Sequence, residues 1–215
     1  MRLGTRLEEV YQILLAHHGP QYWWPAQTPF EVMIGAVLTQ NTAWTNVERA
    51  LESLRQITEL TPSALLSLPR QQLAQAIRPC GYFNLKTQRL RQLCHFLEAH
   101  SDLEQWDDGV LRERLLEVKG IGPETADDIL LYAFHRPVFV IDAYTRRLFG
   151  RLGLLDAGLG YEIMRRQLQQ GMSANTAIYQ EYHALIVNQA KTICRKTPRC
   201  SVCPLEQQCD YAATT

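Results

Sequence analysis

LRERLLEVKGIGPETADDILLYAFHRPVFVIDAYTRRLFGR, residues 111–151, is the stretch on which the reading of the whole chain turns. Leu111, Leu115, Leu116 and Val118 give its opening segment a single apolar helical face. Lys119-Gly120-Ile121-Gly122-Pro123 then breaks that helix. The glycines permit backbone angles and close approaches that a side chain forbids, and Pro123 lacks an N–H yet fits the first turn of a new helix. The pattern predicts that helix from Glu124 to Phe134, with Ala126, Ile129, Leu130 and Ala133 facing inward. A glycine turn feeding a helix N-terminus aims unpaired amides outward at the positive end of a dipole, which suits a phosphate. It also suits an ordinary tight turn between antiparallel helices. Val138-Phe139-Val140-Ile141 is continuously apolar and is expected to be buried. Asp142 follows at once and opens a helix over Ala143 to Phe149, where it can serve as N-cap. A cap is also a carboxylate held by a rigid element, so the position suits catalysis at the mouth of a cleft equally well.

The composition narrows the class without naming it. A chain of 215 residues, 46% of them hydrophobic, is long enough for one or two compact domains. No apolar run approaches the length of a membrane span, and MRLGTRLEEV has no signal-peptide core, so a cytoplasmic protein without a membrane partner is expected. Lys plus Arg equals Asp plus Glu, at 22 each, so net charge does not advertise a nucleic acid and any such face must be local. One local asymmetry exists. Between Glu181 and Glu206 there is no acidic residue, while Lys191, Arg195, Lys196 and Arg199 cluster. These form either a DNA-facing loop or a solvated basic one.

The rest of the chain alternates helical patterns with short loops and contains no strand-like run, so the fold class is all-α. Leu3 to His17 is amphipathic and ends at Gly19-Pro20. Gln21-Tyr22-Trp23-Trp24-Pro25 is a non-helical aromatic knot. Two adjacent tryptophans on one extended strand face opposite ways, so one is expected to pack while the other lines something. Pro29 to Leu38 is a strongly apolar helix, and Thr39-Gln40-Asn41-Thr42-Ala43-Trp44 interrupts it before Thr45 to Arg55 resumes. Cys80-Gly81-Tyr82-Phe83 precedes a long helix, Lys86 to Ala99, and helices over Gly160–Gln169 and Ala174–Ala190 follow the quoted stretch.

Cys80 and Cys94 are isolated and read as small core residues. Cys194, Cys200, Cys203 and Cys209 form C-x5-C-x2-C-x5-C in one short segment. A cytoplasmic chain does not keep disulfides, so four thiols this close point to a metal centre. Ligand type leaves both zinc and a 4Fe–4S cluster open, since each accepts four cysteine thiolates.

Taken together, Lys119-Gly120-Ile121-Gly122-Pro123, Thr125-Ala126 and Val140-Ile141-Asp142-Ala143-Tyr144-Thr145-Arg146-Arg147 resemble the helix-hairpin-helix and catalytic-aspartate segment of the endonuclease III superfamily of DNA glycosylases. The resemblance extends over nearly the whole chain. It implies a two-lobed fold: a helical barrel lobe over residues 26–136 containing the hairpin, and a second lobe of residues 1–25 plus 137–215 with the cysteine cluster. It implies that Gly120 and Gly122 grip phosphates of double-stranded DNA and that Asp142 serves glycosidic cleavage. Gln40 matches the glutamine that fills the gap left by a flipped-out base. The resemblance favours a 4Fe–4S cluster over zinc, although the family spacing is C-x6-C-x2-C-x5-C and the first gap here is one residue shorter. Such a cluster would order Arg195, Lys196 and Arg199 against DNA. In bifunctional members a lysine stands immediately before Thr-Ala, where this chain has Glu124. A carboxylate cannot form an imine, so the resemblance implies a monofunctional enzyme. The role of Glu124 itself is open, because an acid in a first turn also suits the helix dipole. Trp23, Trp24, Pro25 and Trp44 match in placement the base pocket of the 3-methyladenine DNA glycosylase branch. The expectation is therefore a monomeric base-excision glycosylase for an alkylated purine. Uracil, mismatched thymine or oxidised pyrimidines are the alternative substrates, and a non-catalytic DNA-binding protein of the same fold is the alternative class.

Overall fold

In the computed structural model, which describes residues 3–214, the chain is helical throughout, with no strand among the described residues. Among the described residues eleven α-helices follow in order: α1 Leu3–His18, α2 Pro29–Leu38, α3 Trp44–Arg55, α4 Pro62–Ser67, α5 Arg70–Ala76, α6 Phe83–Ala99, α7 Asp108–Glu117, α8 Pro123–Asp128, α9 Ala143–Arg151, α10 Tyr161–Gly171 and α11 Thr176–Thr192. They divide into two compact units, one of Ala26–Arg136 and one of Met1–Pro25 with Pro137–Thr215. Met1, Arg2 and Thr215, at the edges of the expected second lobe, lie outside the described residues.

The continuous unit is built on α2. All eight residues from Glu31 to Leu38 are buried, as they must be in a helix with no polar face. Both ends of that helix therefore need polar partners inside the protein. At the start, Thr28 Oγ1 accepts from the Glu31 amide at 3.2 Å while the buried Glu31 carboxylate accepts from the Gln27 amide at 2.6 Å. Arg55 neutralises that carboxylate at 3.1 Å. At the other end, Lys86 Nζ donates to the carbonyls of Leu38 at 2.9 Å and Cys80 at 2.8 Å. Lys86 is 1% exposed, and burial lowers its ammonium pKa from the ordinary lysine value. The expected start of this helix at Lys86 is corrected: α6 begins at Phe83, which brings Lys86 round to the core side.

The second helix of the quoted stretch spans the expected residues but differs in form. After Asp128 it widens into a π-helical turn, Ile129–Ala133, whose residues are buried on every side. Asp127 and Asp128 are buried too, and Arg112 clamps Asp127 with Nε–Oδ1 at 2.6 Å and Nη2–Oδ2 at 3.2 Å. Periodicity predicts a single inward stripe; here Thr125, Asp127 and Asp128 of α8 are buried as well.

In the discontinuous unit α11 packs on α1 and α9, and α10 packs on α1. Tyr182 anchors the middle: its hydroxyl donates to the Leu7 carbonyl at 2.9 Å, and its ring meets Tyr11, Phe139 and Phe149 edge-on at 5.2, 5.9 and 5.8 Å. Val138 to Ile141 are buried as expected and run directly into α9.

Lys86→Met keeps the aliphatic stem and removes both N–H···O bonds, one to Leu38 at the end of α2 and one to Cys80. Urea denaturation should show a loss of about 2 kcal/mol, the scale of leaving buried acceptors unpaired. An unchanged midpoint would mean that those carbonyls find other partners.

Candidate functional site

Asp142 caps α9. Its extended backbone, φ −86° and ψ −179°, turns the side chain back over the first turn, and Oδ1 accepts from the Thr145 amide at 2.7 Å. The other oxygen, Oδ2, faces Nε2 of His183 at 3.6 Å. Asp142 is 9% exposed and His183 5%. Burial alone pushes the carboxyl pKa up. His183 and the hydrogen bonds from Thr145 outweigh that, and the net position is below the ordinary aspartate value. Sequence reasoning misses His183. Its only signal is spacing: it lies one turn beyond Tyr179 and one turn before Ile186, on the buried stripe of α11.

The far end of α9 binds the cysteine segment. Arg147 donates to the carbonyls of Cys194 at 2.8 Å and Ala190 at 2.9 Å. Arg151 donates to the carbonyls of Arg195 at 2.7 Å and Lys196 at 2.9 Å, and its guanidinium lies 4.6 Å over the Tyr211 ring. These cations meet the carbonyl end of α11, where positive charge is favourable. Arg195, Lys196 and Arg199 are themselves exposed.

Cys194, Cys200, Cys203 and Cys209 line one small cavity. Arg151 Nη1 stands 3.3 Å from Cys194 Sγ, and the buried Gln189 donates Nε2–H to Cys203 Sγ at 3.2 Å. Burial raises the Cys203 pKa, and Cys194 and Cys209 raise it further. A metal held by these cysteines would reverse that preference, since thiolates are the ligating form. Among the described residues, no three His, Cys, Asp or Glu side chains come together around a single ion. A donor set of four thiols around one cavity, with N–H groups directed at two of the sulfurs, fits an iron–sulfur cluster, in which each cysteine serves a different iron.

In the continuous unit the hairpin turn lies between α7 and α8. Gly120 has φ +99°, and a Cβ there would run into the Arg89 side chain, so glycine is required. Gly122 is the N-cap of α8 and has open space where a Cβ would stand. Gln40, which by the resemblance fills the gap left by a flipped-out base, is held by the hairpin in the free protein. Its Nε2 donates to the Gly120 carbonyl at 3.1 Å and to Thr125 Oγ1 at 2.9 Å, and its Oε1 accepts from Arg89. A half-buried amide takes the partners within reach, and here they belong to the hairpin. Glu124 is exposed in the first turn of α8.

The tryptophans are half-buried. The Trp23 and Trp24 rings stand 5.5 Å apart at 53°, so the two are neighbours, not opposed as an extended strand would place them. Pro25 is exposed beside them. Trp44 begins α3, where its Nε1–H donates to Glu48 at 3.0 Å. Asp142, Trp23, Trp24, Pro25, the four cysteines and their basic loop all lie in the discontinuous unit. Gln40, Trp44, Gly120, Gly122 and Glu124 lie in the continuous one.

Residues 34–174, from α2 through the hairpin and the Asp142 cap to α10, match the pattern of the HhH-GPD superfamily base excision DNA repair proteins. The chain belongs to that superfamily. Its relatives agree. A Methanocaldococcus jannaschii protein provisionally named a DNA repair glycosylase is 42% identical, covering 94% of each chain. Endonuclease III of Escherichia coli strain K12 is 27% identical over 98% of this chain and 97% of its own. Among solved structures, endonuclease III in a non-covalent DNA complex superimposes with a TM-score of 0.85 at 20% identity, over 100% of this chain and 98% of that one. The 3-methyladenine DNA glycosylase MagIII of H. pylori, bound to 1,N6-ethenoadenine, gives 0.74 at 28% identity over 89% and 98%. The protein is a DNA repair glycosylase of the endonuclease III superfamily, with the HhH-GPD fold.

A carboxylate whose pKa is depressed in the folded state stabilises that state above its unfolded value, and the contribution disappears as pH falls through the folded value. Wild type should therefore be more stable than Asp142→Asn at neutral pH, and the gap should close as pH drops below the ordinary carboxylate range. Urea midpoints of both proteins along a pH series measure this; a gap independent of pH would mean that Asp142 is not held ionised.

Proposed function

We propose that this glycosylase is monofunctional and excises an alkylated purine, such as 3-methyladenine, from double-stranded DNA. The observation that carries this is Glu124, in the first turn of α8, where the lysine of bifunctional members would stand. It offers no amine, and without an imine there is no route to strand cleavage through a Schiff base. Water must attack the sugar instead. The oxygen adds to the anomeric carbon, the electrons of the glycosidic bond pass to the departing base, and the water proton is lost to Asp142 or to solvent. A cationic alkylpurine leaves as a neutral base, so the departing nitrogen needs little protonation. Asp142 stabilises the positive charge that the sugar gains as the bond breaks.

The paired rings of Trp23 and Trp24 support this substrate class, because aromatic faces attract a cationic base by roughly 0.5–2 kcal/mol per ring beyond ordinary stacking. The likeness to MagIII, at 28% identity, supports it too, since that enzyme carries a modified purine in its crystal structure. Pro25 is assigned to the same aromatic face, and Gly120, Gly122, Arg195, Lys196 and Arg199 to the DNA backbone. Gln40 braces the hairpin in the free enzyme and enters the duplex only by exchanging its hydrogen-bond partners for those of the DNA. The four cysteines would hold a 4Fe–4S cluster, whose contribution is structural: it fixes the chain end that α9 grips. The enzyme acts as a cytoplasmic monomer on this reading.

Release of bases from methylated DNA, from uracil-containing DNA and from DNA with thymine glycol is the deciding comparison. Wild type should release methylated purines preferentially, and Trp24→Ala should lose roughly 5- to 150-fold, the equivalent of about 1–3 kcal/mol of stacking. Borohydride should trap no covalent complex on an abasic strand. Preferred release of uracil or thymine glycol would overturn the substrate, efficient trapping would overturn the monofunctional assignment, and no release from any strand would favour the binding-protein alternative.

The purified protein should be yellow-brown and contain about four irons per chain. Cys203→Ser should lose colour and solubility before it alters the chemical step. A colourless protein with one zinc would replace the cluster by a zinc site.

A further inference from the structure

Capping α9 requires only one acceptor, and Asp142 Oδ1 supplies it to the Thr145 amide at 2.7 Å. Oδ2 lies outside that arrangement and meets His183 Nε2 at 3.6 Å, with both residues buried. A carboxylate removed from water remains charged only where donors or positive charge face it. On the neighbouring elements of the discontinuous unit, the Tyr182 hydroxyl of α11 donates to the Leu7 carbonyl at 2.9 Å, while the buried Tyr179 hydroxyl one turn before His183 has no hydrogen-bond partner among the described residues. Arg146 of α9 donates to the Leu159 carbonyl at 2.6 Å, and Arg147 to Cys194 and Ala190. Glu181 of α11 accepts from the Gln21 amide at 2.6 Å, and the Tyr161 hydroxyl of α10 accepts from the Ile141 amide at 3.3 Å. His183 Nε2 is placed against Oδ2.

We propose that His183 is a positioning residue for base excision: it presents an N–H to Asp142 Oδ2, keeping that carboxylate ionised and in one orientation as the sugar becomes cationic. The inference rests on the reading of Asp142 as the carboxylate that serves excision. The neutral tautomer with hydrogen on Nε2 is enough to present a donor to Oδ2. The 3.6 Å separation in the free enzyme shortens to a hydrogen bond with a small rotation of either side chain, as contacts in active sites commonly do once substrate is bound. His183 sits in the middle of α11, one residue beyond Tyr182, whose ring cluster and bond to Leu7 fix that helix turn. Its imidazole is therefore delivered by a rigid element.

The test follows the Asp142 carboxyl directly, by 13C NMR of aspartate-labelled protein across a pH series, together with the pH profile of methylated-purine release under single-turnover conditions. His183→Leu removes the donor and keeps the bulk. The titration midpoint of Asp142 and the acid limb of excision should both move up, while DNA affinity at neutral pH stays as in wild type. His183→Gln retains an N–H and should restore both toward wild type, a rescue that a purely packing role would not give. If circular dichroism shows that His183→Leu does not fold, His183→Asn, whose amide is too short to reach Oδ2, takes its place. A midpoint and acid limb that stay in place in a folded donor-less variant overturn the inference. Asp142→Asn separates the two readings. Retained excision there refutes the role of Asp142 itself, whereas abolished excision there with an unmoved acid limb in the His183 variant refutes His183 alone.

Discussion

One buried negative charge organises the discontinuous unit. The Asp142 carboxylate sits out of water, and the unit is arranged so that it can. The apolar run Val138 to Ile141 inserts it, the N-terminus of α9 offers the Thr145 amide and the positive end of its dipole, and α11 brings His183 to the remaining oxygen. The same α9 ends in Arg147 and Arg151, which hold the carbonyls of the segment that carries the cysteines. A single helix of nine residues thus has the carboxylate at one end and the cysteine segment at the other. Disturbing the segment would reach Asp142 through a short rigid element and not through a loop.

The continuous unit obeys the same rule with different residues. Burying α2 on all sides strands polar groups at both of its ends, and Thr28, Glu31 and Lys86 meet them. Gln40, just past the end of α2, then stitches that helix to the hairpin through Gly120 and Thr125. The hairpin is consequently held from behind while the space beside Gly122 stays open. On the proposed reading of this turn as a phosphate grip, amides already fixed in direction need no further ordering when an anion arrives.

What the sequence reveals about such a molecule follows from the range over which each feature is encoded. The apolar periodicity of α2 and α11, the glycine break at Gly120 and the cap at Asp142 depend on neighbours within a turn or two, and all are legible. The four-cysteine spacing is similarly local. The partners of buried polar groups are not. Lys86 meets a carbonyl 48 residues away and Gln40 a hydroxyl 85 residues away. Neither pairing leaves a mark on periodicity. His183 and Gln189 both lie on an otherwise apolar stripe, where a lone polar residue looks like an interruption until its partner is placed. Likewise Trp23 and Trp24 announce only their adjacency; that their rings are neighbours comes from the backbone around them.

The contrast between the two candidate carboxylates bears on how the bond is broken. Glu124 is exposed, at the first turn of a short helix, whereas Asp142 is buried and shifted toward the ionised form. A general base is most effective when its pKa lies near the working pH. Holding Asp142 below the ordinary carboxylate value makes it a weak proton acceptor but a dependable negative charge. On the proposed reading its contribution is therefore mainly electrostatic: it faces the cationic sugar, and water follows once the bond has largely broken. Such a mechanism succeeds only when the departing base is already stable on its own. On that proposed reading, a carboxylate tuned this way suits a positively charged purine better than a neutral base that must be protonated to leave.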